Sequence, residues 1–155
     1  MTTSETVTLT HADLVEATLT NADLDGTTLK NLSAETPTRV VSLSRTSRTA
    51  RGIQHQQAFA VNVLSWEQRD LMRHFAVGEP HQRFDGVPYN SKRGQPVLPG
   101  TSADVVCSVK SVHEEGDHVL LVGQVVESTH TPEQTPVIYH RHHQHPVPAA
   151  DGAVS

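Results

Sequence analysis

Cys107 is the only cysteine in the 155-residue chain, so no internal disulfide can form; lying in an apolar stretch, it reads as a small buried hydrophobe and points to a reducing compartment. The chain also lacks a basic stripe. With 12 Lys and Arg against 17 Asp and Glu, its formal charge is −5 at pH 7, which argues against nucleic acid as a main partner because phosphate binding needs clustered positive charge. Nowhere do about 18 apolar residues run together, as a membrane-spanning helix would require. The start, MTTSETVTLT, has neither a basic region nor an apolar core of the export type, so the sequence is expected to be soluble and cytoplasmic, with no membrane partner. No paired carboxylates and no Ser/His/Asp grouping stand out. A chain of this length, 35% hydrophobic and 19% charged, suits one globular domain and leaves no room for a second full one.

What is present begins with an unusual repeat. Leu14, Leu19, Leu24 and Leu29 recur every five residues, with Ala12, Ala17, Ala22 and Thr27 two places before each, a pattern like pentapeptide repeats. Stacked repeats need several neighbours to bury a core, and only about one coil fits here. The other reading is a Thr-rich strand, TVTLT, followed by a short helix or loop that leads into a turn at Asp25-Gly26. From Thr38 the signals become regular. Short apolar runs rich in β-branched residues at 39–43, 59–64, 105–109, 118–126 and 137–139 predict strands, enough with an amino-terminal one for a small barrel. Between the second and third runs, SWEQRDLMRHF predicts a short helix. Ser65 and Gln68 form its capping box, and Leu71, Met72 and Phe75 share one face. The stretch from His74 to Pro99 reads as a long binding-type loop, and the residues after Tyr139 as a disordered tail.

Candidate chemistry starts at SLSRTSRTA. A strand ending at Leu43 runs through hydroxyls and two guanidinium groups into the helix-compatible RTARGIQHQ, which makes an anion cradle: free N–H groups and the helix dipole both favour a phosphate. Taken by itself, a Ser/Thr-Arg turn of this kind is more often a plain N-cap with solvated arginines. In HRHHQH, His140, His142, His143 and His145 are dense enough to attract a transition metal, but a structural site needs fixed geometry, so a solvated segment and no metal site is the expectation.

The succession SLSRTSRTA, FAVNVLSWEQRDLMRHFA, RFDGVPYNSKRGQPVLPG, GDHVLLVGQVV and PVIYHR resembles, in order and spacing, the short flavin reductases of two-component monooxygenases over residues 36–141. FAVNVLS and GDHVLLVGQVV are its most specific parts. The resemblance implies a mainly β fold, a flavin-reductase-like, FMN-binding split β-barrel with short flanking helices. It further implies a homodimer that binds FMN or FAD, oxidises NADH or NADPH and hands reduced flavin to an oxygenase. Carried onto this sequence, Ser47 and Thr49 take the positions that hold the flavin phosphate, with Arg48 a charge partner. His118 takes that of a histidine near the nicotinamide, which also reads as a histidine opening an edge strand. Phe84 takes that of a loop aromatic near the flavin, which also reads as a hydrophobic loop anchor. Hydride transfer between two stacked rings needs binding and orientation rather than a side-chain nucleophile, which accounts for the missing catalytic groupings.

Three departures accompany the match. The stretch that usually cradles the flavin ring, of the kind GMTVSSFTSVSLDPP, is here GTTLKNLSAETP: Ser33 and Pro37 keep place, about three residues are missing and Lys30 intrudes. The usual GVTVV strand upstream gives way to the leucine pentads. Asp104 stands where an apolar or aromatic residue is the rule, and a carboxylate in a barrel strand must find a partner or solvent. The expected organisation is an atypical segment at 1–32, the barrel at 33–141 and a His- and Pro-containing tail at 142–155. The expected function is an NAD(P)H-dependent flavin reductase serving a flavin-dependent monooxygenase. Two alternatives stay open: a barrel that has lost hydride transfer and binds a small molecule or acts as an accessory, and an interaction module built on the pentads and the tail.

Overall fold

The computed structural model describes residues 37–148. The leucine pentads, the amino-terminal strand and the Lys30 region lie outside the described residues. Within them the chain runs β1 (Thr38–Ser44), α1 (Arg48–Gln56), β2 (Ala58–Val63), a 3-10 turn (Trp66–Gln68), α2 (Arg69–Val77), a second 3-10 turn (Pro80–Gln82), β3 (Asn90–Lys92), β4 (Gln95–Val97), β5 (Ala103–Glu115), β6 (His118–His130), β7 (Val137–His140) and β8 (His143–Pro146). One antiparallel sheet in the order β1-β6-β5-β2 forms the body, with β3–β4 and β7–β8 as two small hairpins.

Alternation of apolar and polar residues builds the main core. Val41 and Leu43 of β1 and Val119 and Leu121 of β6 face the same way and meet Ala50 and Ile53 of α1, with Phe59 and Cys107 completing the cluster. Full burial of Ile53 alone contributes roughly 2 kcal/mol, which is why a nine-residue helix too short to persist by itself is held on the sheet. Strand alternation sends two consecutive residues of β5, Val106 and Cys107, to opposite faces, and the ladder shifts register between them. Cys107 thus joins the main core, while Val106 joins Ala60 and Val97 on the other side. The sheet is therefore covered on both faces near β2, as a curled sheet must be.

Gly123 shows why the two most specific sequence segments belong together. A Cβ at this position would stand 2.5 Å from Phe59 Cζ and 2.7 Å from Cys107 Cβ. The ring of Phe59, from FAVNVLS, thus lies flush on the glycine of GDHVLLVGQVV, reaching across β5 to β6.

All five predicted strand runs are strands, and the Ser65/Gln68 capping box is present, although the first turn of that helix is 3-10. Two expectations change. The long loop contains the β3–β4 hairpin, which turns at Arg93 and Gly94 with φ of 49° and 78°. The tail expected at 142–155 is ordered over its first part, because β8 pairs with β7 and Gln144 Nε2 donates to the Arg69 carbonyl of α2 at 2.9 Å. Its turn, Arg141-His142, takes φ of 50° and 65° without a glycine, so the usual sequence mark of a tight hairpin is missing.

Asp104 finds its partner. Lys92 Nζ, carried by β3, donates to Asp104 Oδ1 at 2.8 Å and Oδ2 at 3.1 Å and to Thr129 Oγ1 at 2.6 Å. Asn62 supports the barrel as its apolar setting implies: its Oδ1 accepts from the Leu98 N–H at 2.9 Å, which fixes the strand end after β4.

Candidate functional site

The end of β1 sets the site. Ser44 is the last residue of the strand and pairs with His118, the first of β6, so two segments more than seventy positions apart meet across one rung of the ladder. Beyond Ser44 the chain turns back, with the Ser47 N–H donating to the Ser44 carbonyl at 3.0 Å and a hydrogen bond of 3.0 Å joining the Ser44 and Thr46 hydroxyls. Ser47 then caps α1: its Oγ accepts from the Ala50 N–H at 2.9 Å, and its carbonyl accepts from Arg51 N–H at 3.3 Å.

This cap leaves a donor set. The N–H groups of Arg48 and Thr49, the first two helical residues, have no acceptor inside the helix, and the Ser47 hydroxyl, already accepting, still has a hydrogen to donate outward. Thr49 is buried and Arg48 exposed beside it. The arrangement fits a phosphate at the helix start, with the positive end of the dipole and one guanidinium at hand. Arg45 faces elsewhere. Its Nη1 donates to the Gly116 carbonyl at 3.2 Å, its Nη2 lies 3.4 Å from Glu114 Oε2 and its backbone N–H donates to the Asp117 carbonyl at 3.0 Å.

His118 sits 27% exposed at the base of the β5–β6 turn, with Nδ1 2.7 Å from Asp117 Oδ1. The hydrogen bond from His118, followed by its charge, holds the Asp117 carboxyl below the usual carboxylate range. The thiol of Cys107, beneath the sheet, moves the other way: burial pushes it up to about 11, partly offset by the charge of Arg39.

Phe84 belongs to a different neighbourhood. Its ring packs edge to face on Phe75 of α2 at 5.2 Å and on Tyr89 at 5.1 Å, in a second cluster with Leu64, Met72, Val87 and Leu98. The Ser44–His118 pairing brings the segment of Ser47, Arg48 and Thr49 to the strand end that carries His118, whereas the described ring contacts of Phe84 are those of the loop-anchor reading. Sequence reasoning passes over Arg45 as a tie between cradle and turn, Asp117 as the partner of His118, and Tyr89, the exposed aromatic of the same loop. Arg45 and Asp117 lie inside the segments already singled out, but only the paired strands reveal what they touch. Among the described residues no three His, Cys, Asp or Glu side chains are placed to hold a metal ion; His140 and His145 stand 6.4 Å apart between ring centroids.

Comparison with known proteins bears on the family and the fold. A family model described as pentapeptide repeats matches residues 7–33, outside the described residues. The chain is 34% identical over 111 residues to the reductase subunit HsaB of a flavin-dependent monooxygenase from Rhodococcus jostii, an overlap of 71% of this chain and 56% of that protein. A flavin reductase of Pseudomonas putida is 30% identical, over 72% of this chain and 65% of its own length. The chain therefore spans between half and two thirds of the length of these relatives. Among solved structures, nitrilotriacetate monooxygenase component B from Mycobacterium thermoresistibile superposes with a TM-score of 0.70 at 26% identity, covering 77% of this chain and 68% of that one. The NADH:FAD oxidoreductase SgcE6 of Streptomyces globisporus, at 23% identity and a TM-score of 0.71, shares the fold. The curled sheet is thus the mainly β barrel of flavin reductases, and since the family model described as flavin reductase like domain matches residues 27–148, the chain belongs to that family.

Proposed function

We propose that the protein is an NAD(P)H-dependent flavin reductase that supplies reduced FMN or FAD to a flavin-dependent monooxygenase partner. The observation that carries this reading is the Ser44–His118 rung, which sets a capped helix start with free donors beside the histidine that the family places near the nicotinamide. When bound, the flavin supplies the hydride acceptor. The chain's own part is to hold the phosphate on the Ser47 hydroxyl and the N–H groups of Arg48 and Thr49, with the Arg48 charge nearby. It also keeps His118 oriented from the adjoining strand. Homodimerisation and a cytoplasmic setting belong to the same proposal. Among the described residues no helix is long and apolar enough to cross a membrane.

The test is flavin titration of full-length, tag-free protein with FMN, FAD and riboflavin, followed by NADH and NADPH oxidation. Ser47→Asp separates capping from anion binding, since aspartate caps a helix as well as serine but repels a phosphate. It is expected to fold normally, to lose roughly tenfold or more in FMN affinity through one charge-assisted hydrogen bond and the added repulsion, and to leave riboflavin binding unchanged. Equal losses for FMN and riboflavin would remove the cradle from the account. No flavin binding and no nicotinamide oxidation by the wild type would sink the enzyme reading and leave an inherited barrel, with its Lys30 segment rebuilt, turned to another ligand.

A further inference from the structure

His118 and Asp117 are sequence neighbours, and in an extended strand such neighbours point to opposite faces and cannot touch. Here they do, because Asp117 is still in the turn. Glu115 and His118 close a two-residue hairpin whose first central residue, Gly116, takes φ 58°, the left-handed value that type II′ turns reserve for glycine. The second central residue, Asp117, then brings its carboxylate back over the first residue of β6, with Oδ1 2.7 Å from His118 Nδ1.

An exposed carboxylate of this kind would ordinarily wander; the Asp117 side chain is 94% exposed. Its backbone does not. The Asp117 carbonyl accepts from the Arg45 N–H, the Gly116 carbonyl accepts from Arg45 Nη1, and Glu114, just before the turn, meets Arg45 Nη2. The turn is thus fastened three times to one residue of the cradle loop, two positions before Ser47. The charged groups around the pair are Arg45, Glu114 and Glu115, the last directly across the ladder from His118.

A carboxylate only accepts, so the bond to Nδ1 needs the proton on that nitrogen, and in the neutral ring Nε2 then carries the lone pair. We infer that Asp117 is a positioning residue: it fixes the tautomer and ring plane of His118, and Arg45 fixes Asp117, so that the histidine meets the nicotinamide in one orientation set by the cradle loop. The tautomer follows from the geometry alone, and its consequence for the nicotinamide rests on the flavin reductase reading.

The experiment reads both levels. In full-length, tag-free, 15N-labelled protein, long-range imidazole spectra assign His118 by its disappearance in His118→Asn. The wild type should show the Nδ1–H form in its neutral ring. Asp117→Ala should shift it toward the Nε2–H form, and Asp117→Asn, which keeps an acceptor oxygen, should restore much of the wild-type pattern. In turnover, Asp117→Ala should raise the KM for the nicotinamide about five- to twentyfold with kcat within twofold and flavin affinity unchanged. The same substitution in a His118→Ala background should do nothing further, because a residue acting through His118 has nothing left to position. An unchanged tautomer in Asp117→Ala, or KM effects that simply multiply in the double variant, would overturn the inference. If the tautomer shifts as expected while the wild type oxidises neither nicotinamide, the positioning role stands and the flavin reductase reading falls.

Discussion

The two apolar clusters of this barrel are built by different means. The first is aliphatic apart from Phe59 and Cys107 and is read straight off paired strands: Val41 and Leu43, Val119 and Leu121, with α1 laid over them. The second is richer in rings and draws on chain scattered from Leu64 to Tyr139, with Phe75, Phe84, Trp66 and Tyr139 meeting across loops. The site inherits the first. Leu43 precedes Ser44, Val119 follows His118, and Ala50 and Ile53 belong to the helix that Ser47 caps. Close-packed strands transmit strain and give little, so the cradle and His118 are held to a fixed separation. The loop carrying Phe84 and Tyr89 rests on the second cluster, where edge-to-face rings and the two small hairpins leave more freedom to adjust.

The sharpest way to break this contrast is Gly123→Ala. The new methyl group meets Phe59 and Cys107 well inside contact distance, and the ring has nowhere to retreat in a fully buried setting. Overpacking of this kind is expected to cost about 3 kcal/mol and to lower the melting temperature by roughly 10 °C or more. Phe59→Leu added to Gly123→Ala should recover over half of that loss. Thermal denaturation of the three proteins checks this, and a fully tolerated Gly123→Ala would mean the first cluster is not the rigid one.

Cys107 provides a pH handle on the same cluster. In the unfolded chain the thiol ionises near 9.0, whereas burial holds its proton in the fold to about 11. Above pH 9 the unfolded state therefore binds fewer protons than the folded one, so stability is complete below 9 and declines as pH rises toward 11, by at most about 2–3 kcal/mol. Urea midpoints across this range should fall more steeply for the wild type than for Cys107→Ala. Parallel curves would show that water reaches the thiol.

What was legible in the sequence divides along the same line. The strands of the first cluster announce themselves by β-branched runs and the cradle by its hydroxyls and guanidinium groups at a helix start, whereas His118 is singled out only by the family resemblance. The outer parts of β5 and β6, from Lys110 to Glu115 and from Glu127 to His130, are polar because little packs on them there, so their length was invisible. β3 and β4 are three residues each, with Pro96 in one of them, too short for any periodicity. Phe84 was ambiguous for a physical reason: an aromatic side chain in a loop serves equally as a ring platform or as an anchor, and only its neighbours decide. Asp117 was printed in the motif, but its contact depends on a turn conformation that composition does not reveal.

Lys92 tests how firmly the β3–β4 hairpin is tied to the sheet. Its side chain is 25% exposed and that of Asp104 7%, so removing the ammonium leaves a nearly buried carboxylate without its cation. Lys92→Met is expected to cost about 2 kcal/mol, below the full penalty for a dry pair because water reaches the lysine. Lys92→Met with Asp104→Leu should be close to neutral. Chemical denaturation measures both, and hydrogen exchange should locate the single variant's loosening at 90–97 rather than around α1.

The smallest effect concerns the β7–β8 hairpin, whose turn and second strand the sequence reads as disordered tail. Arg141 and His142 both adopt left-handed backbone, the type I′ pattern in which Asn-Gly is the unstrained choice. Replacing them together by Asn-Gly should raise stability by about 1 kcal/mol through relief of that strain. Gln144 would still reach Arg69 and Met72, so the docking of β7–β8 on α2 is unaltered. The variant therefore separates two reasons for tolerating strain. If flavin affinity and nicotinamide KM stay as in the wild type, the turn is a conformational cost carried by the second region alone. If stability rises while KM rises several-fold, Arg141 or His142 reaches the cofactors, and the adjustable region takes part in the site that the rigid one frames.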